Sequence, residues 1–239
     1  MKLTPTDIEK LRNVLAACKV IGVDALVINE GMARGARLPS LDAAIITDLD
    51  LSISPDIQMG IGKVVELEKR LAIFGSNVEM EGKTNDNGDV TLLTLSAGKT
   101  KMQFRCTSSK LVRYPKSNDD QPVATILMTR AEIAQVSRAV KTLCAETIVL
   151  QVSRNGIARL ECTDSANDKF EIELSAAAKY EDEVQSLVQT YLAGLFVDVI
   201  DAAAKESEEI DFVVGEVGSM TAKVKQHTVM IMPQITGED

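Results

Sequence analysis

Laid over itself so that Thr4 falls on Thr129 and Arg34 on Arg159, the chain repeats its pattern without a gap. Ile8, Leu11, Leu15 and Cys18 meet Ile133, Val136, Val140 and Leu143, each set spaced as one face of an amphipathic helix. Val23, Ala25 and Val27 meet Ile148, Leu150 and Val152, which alternate as a half-buried strand does. Gly31 then meets Gly156, where each strand would turn. A helix followed by a hairpin, used twice, marks the duplication of a whole domain. At 239 residues there is chain enough for two cores of ordinary size, so function belongs to what two such domains build together.

Thr6 and Glu9 match a capping box at the start of the first helix, and Gly22 marks its end. Strands are expected over Val23 to Glu30, Met32 to Leu38 and Leu41 to Ser54, the last with Ile45, Thr47, Leu49, Leu51 and Ile53 on one face and stopped by Pro55. A second helix over Ile61 to Phe74 has Val64, Leu67, Leu71 and Phe74 on its apolar side. Strands Val78 to Gly82 and Val90 to Leu95 flank an Asn87-Gly88 hairpin turn. In Thr100 to Thr107, Met102, Phe104 and Cys106 alternate with Lys101, Gln103 and Arg105. These residues make a first domain, 1–112. An exposed, proline-flanked linker follows at 113–123, then a second domain at 124–239 that opens on another capping box, Thr129 and Glu132. Its strands are expected at Thr147 to Ser153, Ile157 to Cys162, Lys169 to Leu174, Ile210 to Val214, Met220 to Lys225 and Thr228 to Met232, with a helix over Leu195 to Lys205. Tyr180 to Gln189 has no clear pattern. Two helices and many antiparallel strands per half make an α+β fold with helices on one side of the sheet.

With 26 basic against 35 acidic residues the net charge is −9, which argues against a general nucleic-acid coat but leaves room for a basic face on an acidic body. Trp is absent and aromatics are few, so base stacking is a poor mode of recognition. Cys18, Cys106, Cys144 and Cys162 lack metal-ligand spacing and read as reduced core residues of a cytosolic protein. The start MKLTPTDIEK has no apolar signal region, and no run approaches the roughly 18 apolar residues of a membrane span. The expectation is a soluble, cytoplasmic protein without cofactor or metal.

An enzyme reading finds little. His227 is the single histidine and falls in an expected turn, where it would be solvated. Asp86-Asn87-Gly88-Asp89 lacks the Glu that closes a calcium loop. Gly60-Ile61-Gly62-Lys63 lacks the spacing of a phosphate loop. Asp48 and Asp50 share a strand face, as a carboxylate pair or as a solvated surface. The basic residues say more. Arg138 lies opposite the apolar face of its helix with Arg130 and Lys141 beside it; Lys69 is similarly opposed on the second helix, and Lys10 and Arg12 border the exposed side of the first. Ordinary solvated helix faces would look the same. Two domains presenting helices to a common side would join these charges into one basic surface.

The duplicated capped helices, the long linker, Thr190-Tyr191-Leu192-Ala193-Gly194-Leu195 leading into the last helix, and the close Ile231-Met232-Pro233-Gln234-Ile235 with acidic Glu238 and Asp239 together resemble the two-domain DNA sliding clamps. That family includes proliferating cell nuclear antigen and the T4-type phage processivity factor, and the MKL start and compact size look closer to the phage branch, which would place the protein in a host-cell cytoplasm. The resemblance spans nearly the whole chain but lies in pattern, with no single diagnostic motif. The last helix departs from it, carrying Asp198 and Asp201 where the family tends to be positive.

The resemblance implies a head-to-tail homotrimeric ring of six domains that encircles duplex DNA without reading its sequence and tethers a DNA polymerase, placed there by a clamp loader. The DNA-facing residues would be Lys10, Arg12, Lys69, Arg130, Arg138 and Lys141. The subunit interface would use the otherwise open edges carrying Met102, Phe104 and Cys106 on one chain and Phe170, Ile172 and Leu174 on the next. Partner peptides would enter an apolar pocket of Tyr114, Val123, Met232, Pro233 and Ile235, because Pro233 cannot donate a ladder hydrogen bond and should take the tail off its sheet. Two other readings stay open: a clamp-fold protein that grips DNA as a monomer or dimer without encircling it, and a small carboxylate enzyme on the same duplicated fold.

Overall fold

A computed structural model describes residues 1–114, 120–180, 186–205 and 207–234. The chain divides into two compact units, Met1–Lys116 and Ser117–Asp239.

In the first unit the order is β1 (Lys2–Leu3), α1 (Pro5–Val20), β2 (Leu26–Asn29), β3 (Met32–Ala36), β4 (Ala43–Asp48), β5 (Met59–Ile61), α2 (Val64–Phe74), β6 (Glu79–Thr84), β7 (Val90–Ala97) and β8 (Thr100–Arg105), closed by a 3-10 turn at Ser109–Leu111. Antiparallel pairing gives two sheets, β1-β6-β7-β8 and β4-β3-β2-β5. The second unit runs β9 (Pro122–Thr129), α3 (Arg130–Leu143), β10 (Thr147–Val152), β11 (Ala158–Thr163), β12 (Lys169–Glu173), β13 (Lys179–Tyr180), β14 (Leu187–Leu192), α4 (Ala193–Ala203), β15 (Glu209–Gly215), β16 (Met220–Val224) and β17 (His227–Ile231). Its sheets are β12-β11-β10-β14 and β13-β9-β15-β16-β17, again antiparallel. The α+β reading of the sequence holds in both units.

The helices pair as α1–α2 and α3–α4, and each pair packs against strands of its own unit. Ile8, Leu11, Leu15 and Cys18 are buried, as are Val64, Leu67, Leu71 and Phe74, and Ile133, Val136 and Val140; Leu143 is half-buried. At about 25 cal/mol per Å² of apolar surface, such stripes supply most of what holds a helix of this length in place.

The first capping box belongs to Thr4 and Asp7, not Thr6 and Glu9. Asp7 N–H donates to Thr4 Oγ1 (3.2 Å), and Thr4 N–H donates back to Asp7 Oδ2 (2.9 Å). Pro5 at the first helical position decides the phase, since its ring sets a helical φ and its missing N–H is one that the helix start leaves unpaired anyway. The same shift that overlays the two halves puts Thr4 on Thr129, where Glu132 N–H donates to Thr129 Oγ1 (3.3 Å) and Thr129 N–H to Glu132 Oε2 (2.7 Å).

Other expectations shift. The strand expected to run to Ser54 stops at Asp48, and Asp50 takes a positive φ of 42°. Pro122 and Val123 lie in β9, an eight-residue strand paired along β15, and are not free linker. Where no pattern was legible, β13 and β14 pair with β9 and β10. Of the cysteines, Cys18 and Cys162 are buried, Cys106 is half-buried, and Cys144 is exposed in the left-handed cap of α3 at φ 50°. The Asp86–Asp89 segment is the expected hairpin turn: Asn85 Oδ1 accepts from Asn87 N–H (3.0 Å) and Asp89 N–H (2.9 Å), and Gly88 supplies the φ of 79°.

Candidate functional site

On α3, Arg130, Arg138 and Lys141 are all exposed, and the one acid of the helix, Glu132, is buried in the capping box. The solvent side of α3 is therefore positive along its length. Arg138 has no ion-pair or hydrogen-bond partner among the described residues, and neither has the exposed Lys69 on α2. The other four basic residues of the expected surface are engaged within their own units. Arg12 donates to the carbonyls of Leu71 (2.9 Å) and Gly75, and Arg130 Nε donates to Ala204 O (3.0 Å), so each guanidinium closes the C-terminus of its neighbouring helix. Lys10 Nζ pairs with Asp50 Oδ2 (3.2 Å), and Lys141 Nζ with Asp201 Oδ2 (3.2 Å). Ser137 also donates to Asp201, so this acid of α4 is tied to α3 twice.

The two strands named as open edges are edges of their sheets: β8 ends one and β12 ends the other. The side chains assigned to the interface belong mostly to the inner rows. Phe104 and Leu174 are buried, and Met102, Cys106, Phe170 and Ile172 half-buried. What β8 turns outward is Lys101, Gln103 and Arg105; what β12 turns outward is Lys169, Glu171 and Glu173. The ladders agree. Cys106 N–H bonds Thr91 O, so the even-numbered residues of β8 face β7; Leu174 N–H bonds Ala158 O, so the even-numbered residues of β12 face β11. The odd-numbered residues of both strands point their backbone groups away from the sheet. Around β12 the charges form a ladder. Hydrogen bonding and then charge from Glu173 raise the Arg159 pKa, and hydrogen bonds from Glu161 and Glu171 raise that of Lys169.

Two residues beside these edges escaped the sequence reading. Arg70 of α2 lies over the Phe104 ring (5.2 Å) and donates to the outward carbonyl of Gln103 (2.7 Å). One turn on, Ile73 is 65% exposed. The available signal was its position: an isoleucine outside the stripe of Val64, Leu67, Leu71 and Phe74. Beside the other edge, Gln135, Arg138, Ala139, Thr142 and Leu143 of α3 form a groove of about 510 Å³ with Lys169 and Phe170 of β12.

Of the residues assigned to a partner-peptide pocket, Tyr114 is half-buried under the Arg34 guanidinium (6.0 Å), Val123 is half-buried in β9, and Met232 and Pro233 are half-buried just past the end of β17. Gln234 N–H donates to Thr190 O (2.7 Å). Ile235 lies outside the described residues.

His227 is not the solvated turn residue expected. It opens β17, is buried, and burial followed by the Lys225 charge lowers its pKa to about 4, so it is neutral at physiological pH. Asp48 and Asp50 are not a carboxylate pair: Asp48 Oδ1 accepts from Asp50 N–H (2.8 Å) in a local turn. Gly60 and Ile61 of Gly60-Ile61-Gly62-Lys63 lie inside the three-residue strand β5, and a Cβ on Gly60 would meet Thr107 O at 2.3 Å, so the glycine admits neighbouring backbone rather than phosphate. Among the described residues no helix is long and apolar enough to cross a membrane.

No protein-family model matches the sequence, and no curated protein matches it. Solved structures do match. A chain of the PCNA2–PCNA3 complex from Sulfolobus tokodaii aligns with a TM-score of 0.64 and 14% identity, over 98% of each chain. A chain from the structure of the C-terminal region of FEN-1 bound to A. fulgidus PCNA aligns with a TM-score of 0.67 and 14% identity, over 100% of each. The fold is that of the PCNA-type DNA clamps along its full length.

Proposed function

We propose that this chain is a sliding clamp: three copies close head to tail around duplex DNA and hold a DNA polymerase and other replication proteins on the template without catalysing a reaction. The observation that carries the reading is the pair of open edges, one per unit, on a chain of clamp fold. β8 and β12 each leave three successive odd-numbered residues with backbone groups unpaired by their own sheet neighbours, and such edges invite pairing. Their outward rows differ in charge, Lys101, Gln103 and Arg105 on one and Lys169, Glu171 and Glu173 on the other, where Arg159 and Lys169 already pair with the two acids. The two edges differ, so pairing is heterologous, and a heterologous contact closes into a ring when the rotation per subunit permits it.

Encirclement needs little affinity. A ring that cannot leave the duplex sideways works with weak, sequence-independent phosphate contacts, for which Arg138, Lys69 and the rest of the α3 charge are the candidates. The net charge of −9 then disfavours DNA on other surfaces. The half-buried Met232 and Pro233 beside the end of β17 remain the candidates for receiving a polymerase peptide, and a clamp loader is the implied means of opening the ring.

One observation favours the second reading, a monomer or dimer that grips DNA by one face without encircling it. Arg70 already occupies the Gln103 carbonyl, so the β8 edge is partly guarded. Native mass spectrometry at low-micromolar concentration separates the two, with a trimer expected. Retention on closed-circular duplex and loss after linearisation would then establish encirclement. A strict monomer, or equal retention on both DNA forms, overturns the ring.

A further inference from the structure

We infer that Asp120 is a positioning residue for the partner-peptide site: its carboxylate, seated in the turn between β15 and β16, fixes the bulge of β9 that carries Val123. The inference rests on the proposal that Met232 and Pro233, with Val123, receive a partner peptide, and it names what holds them in shape. Every residue involved belongs to the second unit.

The turn closes on itself through Gly215 N–H to Ser219 O (2.8 Å) and Gly218 N–H to Gly215 O (3.0 Å), with Gly218 at a φ of 86°. Two of its other N–H groups point at one carboxylate: Val217 donates to Asp120 Oδ1 (2.8 Å) and Ser219 to Asp120 Oδ2 (3.0 Å). The Ser219 hydroxyl, on a residue 2% exposed, donates to the same Oδ2. Backbone N–H groups around a left-handed residue form a hollow that suits an anion, and hydrogen bonds to a charged acceptor are among the stronger ones. The seat exists because residue 215 is glycine, where a Cβ would lie 2.0 Å from Asp120 Oδ2. Gln121 O accepts from Glu216 N–H (2.9 Å) and adds a backbone bond to the same turn.

The seat has a consequence for the strand that follows it. Ala124 lies opposite Val214 and Pro122 opposite Gly215, so Val123 is one residue more than β15 can match. An extra residue of this kind bends its strand and re-aims a side chain. Asp120 and Gln121 are drawn onto the turn just before it, and the chain must pass Gly215 before regular pairing resumes at Ala124. The same turn is gripped from within by Tyr191, fully buried, whose hydroxyl donates to Gly218 O (2.8 Å). Burial, and then the Asp120 charge, push the Tyr191 pKa up, so the hydroxyl stays a donor. Its neighbour Thr190 accepts from Gln234 N–H (2.7 Å), directly after Met232 and Pro233. A line of bonded and adjacent residues thus runs from Asp120 to Pro233, and both parts of the proposed site are referred to one turn.

The test uses the full chain and two variants. Asp120→Ala empties the seat, and Gly215→Ala keeps the carboxylate but fills the place where it sits. Hydrogen exchange at the Val217 and Ser219 amides should rise about tenfold in each, which reports that the seat is lost. Methyl NMR spectra of Val123 and Met232, titrated with N-acetylphenylalaninamide as a minimal apolar anchor, report the site. In the wild type the probe should shift both methyl signals. In both variants the Val123 signal should move before any probe is added, and the probe should bind about fivefold more weakly, because a site that must first be ordered binds less well. Asp7→Ala, a destabilising change in the first unit, controls for stability alone and should leave the Val123 signal and the affinity at wild-type values. If the probe shifts neither signal in the wild type, the peptide site is misplaced and the inference falls with it. If the probe binds the wild type and both variants alike while the two amides exchange faster, the site stands and Asp120 does not position it. If Asp120→Ala does not fold, Asp120→Asn takes its place, with the same direction of change and a smaller effect.

Discussion

The second helices of the two units, α2 and α4, have the same length and differ in almost everything else. Four of the eleven residues of α2 are buried, and its open side carries Glu66, Lys69, Arg70 and Ile73. Eight of the eleven residues of α4 are buried, and its more open positions include Gly194, Asp198 and Asp201. Both need their C-terminal carbonyls satisfied, and both receive an arginine from the first helix of the unit. Arg12 comes from the middle of α1, whereas Arg130 comes from the first position of α3. Under the shift that overlays the halves, Arg12 falls on Ser137, which instead binds Asp201. Duplication has thus kept the requirement and moved the residue that meets it. The first helices keep both: Asp7 and Glu132 occupy matched positions and do matched work.

That matched pair offers the strongest way to break the comparison. Besides closing its capping box, Asp7 accepts from Ser52 N–H (2.9 Å), and Glu132 from Ser175 N–H (2.7 Å) and Oγ (2.8 Å), so each carboxylate ties a loop to a helix start. Only 1% of Asp7 and 8% of Glu132 is exposed. Asp7→Ala and Glu132→Ala should each cost about 3 kcal/mol, a lost cap plus stranded donors, measured by urea unfolding. Burial pushes both carboxyls up, but the bonds from Ser52 and Thr4, and from Ser175 and Thr129, outweigh it and leave both below their ordinary values of 3.8 and 4.5. Their contribution is therefore complete above those values and is lost as pH falls through the folded pKa. The gap between wild type and variant should narrow on acidification; a constant gap would mean the carboxylates act only by shape.

The arginine clasps come next. Arg12→Ala and Arg130→Ala should each lose about 1–2 kcal/mol, the worth of charged hydrogen bonds to helix-end carbonyls. Equal losses would support a shared requirement met from different positions. A loss at Arg12 alone would mean that the packing of α4 holds it without help. The smallest effect on stability is expected from Arg138→Glu with Lys141→Glu, which should leave unfolding within about 1 kcal/mol of wild type, because both side chains are exposed and the Lys141–Asp201 pair that is lost lies at the surface. The same pair should shorten retention on DNA several-fold at low salt, and less as salt screens the contact. Lys69→Glu alone should act in the same direction and more weakly. A double reversal without effect on DNA would remove α3 from the DNA-facing surface.

Much of the fold was legible because burial is periodic. The stripe from Ile8 to Cys18 and its counterpart from Ile133 identify helices wherever they pack, and the alternation in Thr100 to Thr107 and Lys169 to Leu174 identified two strands that do lie at sheet edges. β1, β5, β13 and β14 were missed because short strands, or strands interrupted by half-buried positions, carry too few alternations to separate from loop, and β9 was missed although it alternates, because its start falls in the stretch read as linker. The capping box was misplaced by two residues because Thr4-Asp7 and Thr6-Glu9 are both plausible by composition; Pro5 and the internal repeat together distinguish them.

The candidate site was less legible. Opposition to an apolar stripe located Lys69 and Arg138 on exposed helix sides, and α3 as a positive surface follows from sequence alone. That Arg12 and Arg130 are engaged with helix ends could not be read there, because their partners are backbone carbonyls far along the chain, which carry no sequence signal. His227 reads as a turn residue because it stands beside one, and its burial at the start of β17 is not visible in the local sequence. The sequence by itself determined the duplication, the helix faces and the caps, since these depend on neighbours within a few residues. Tertiary structure alone decided which charges remain free, which rows of an edge strand turn outward, and that Ile73 and the α3–β12 groove both stand open beside those edges, because each of these depends on contacts between segments distant in sequence.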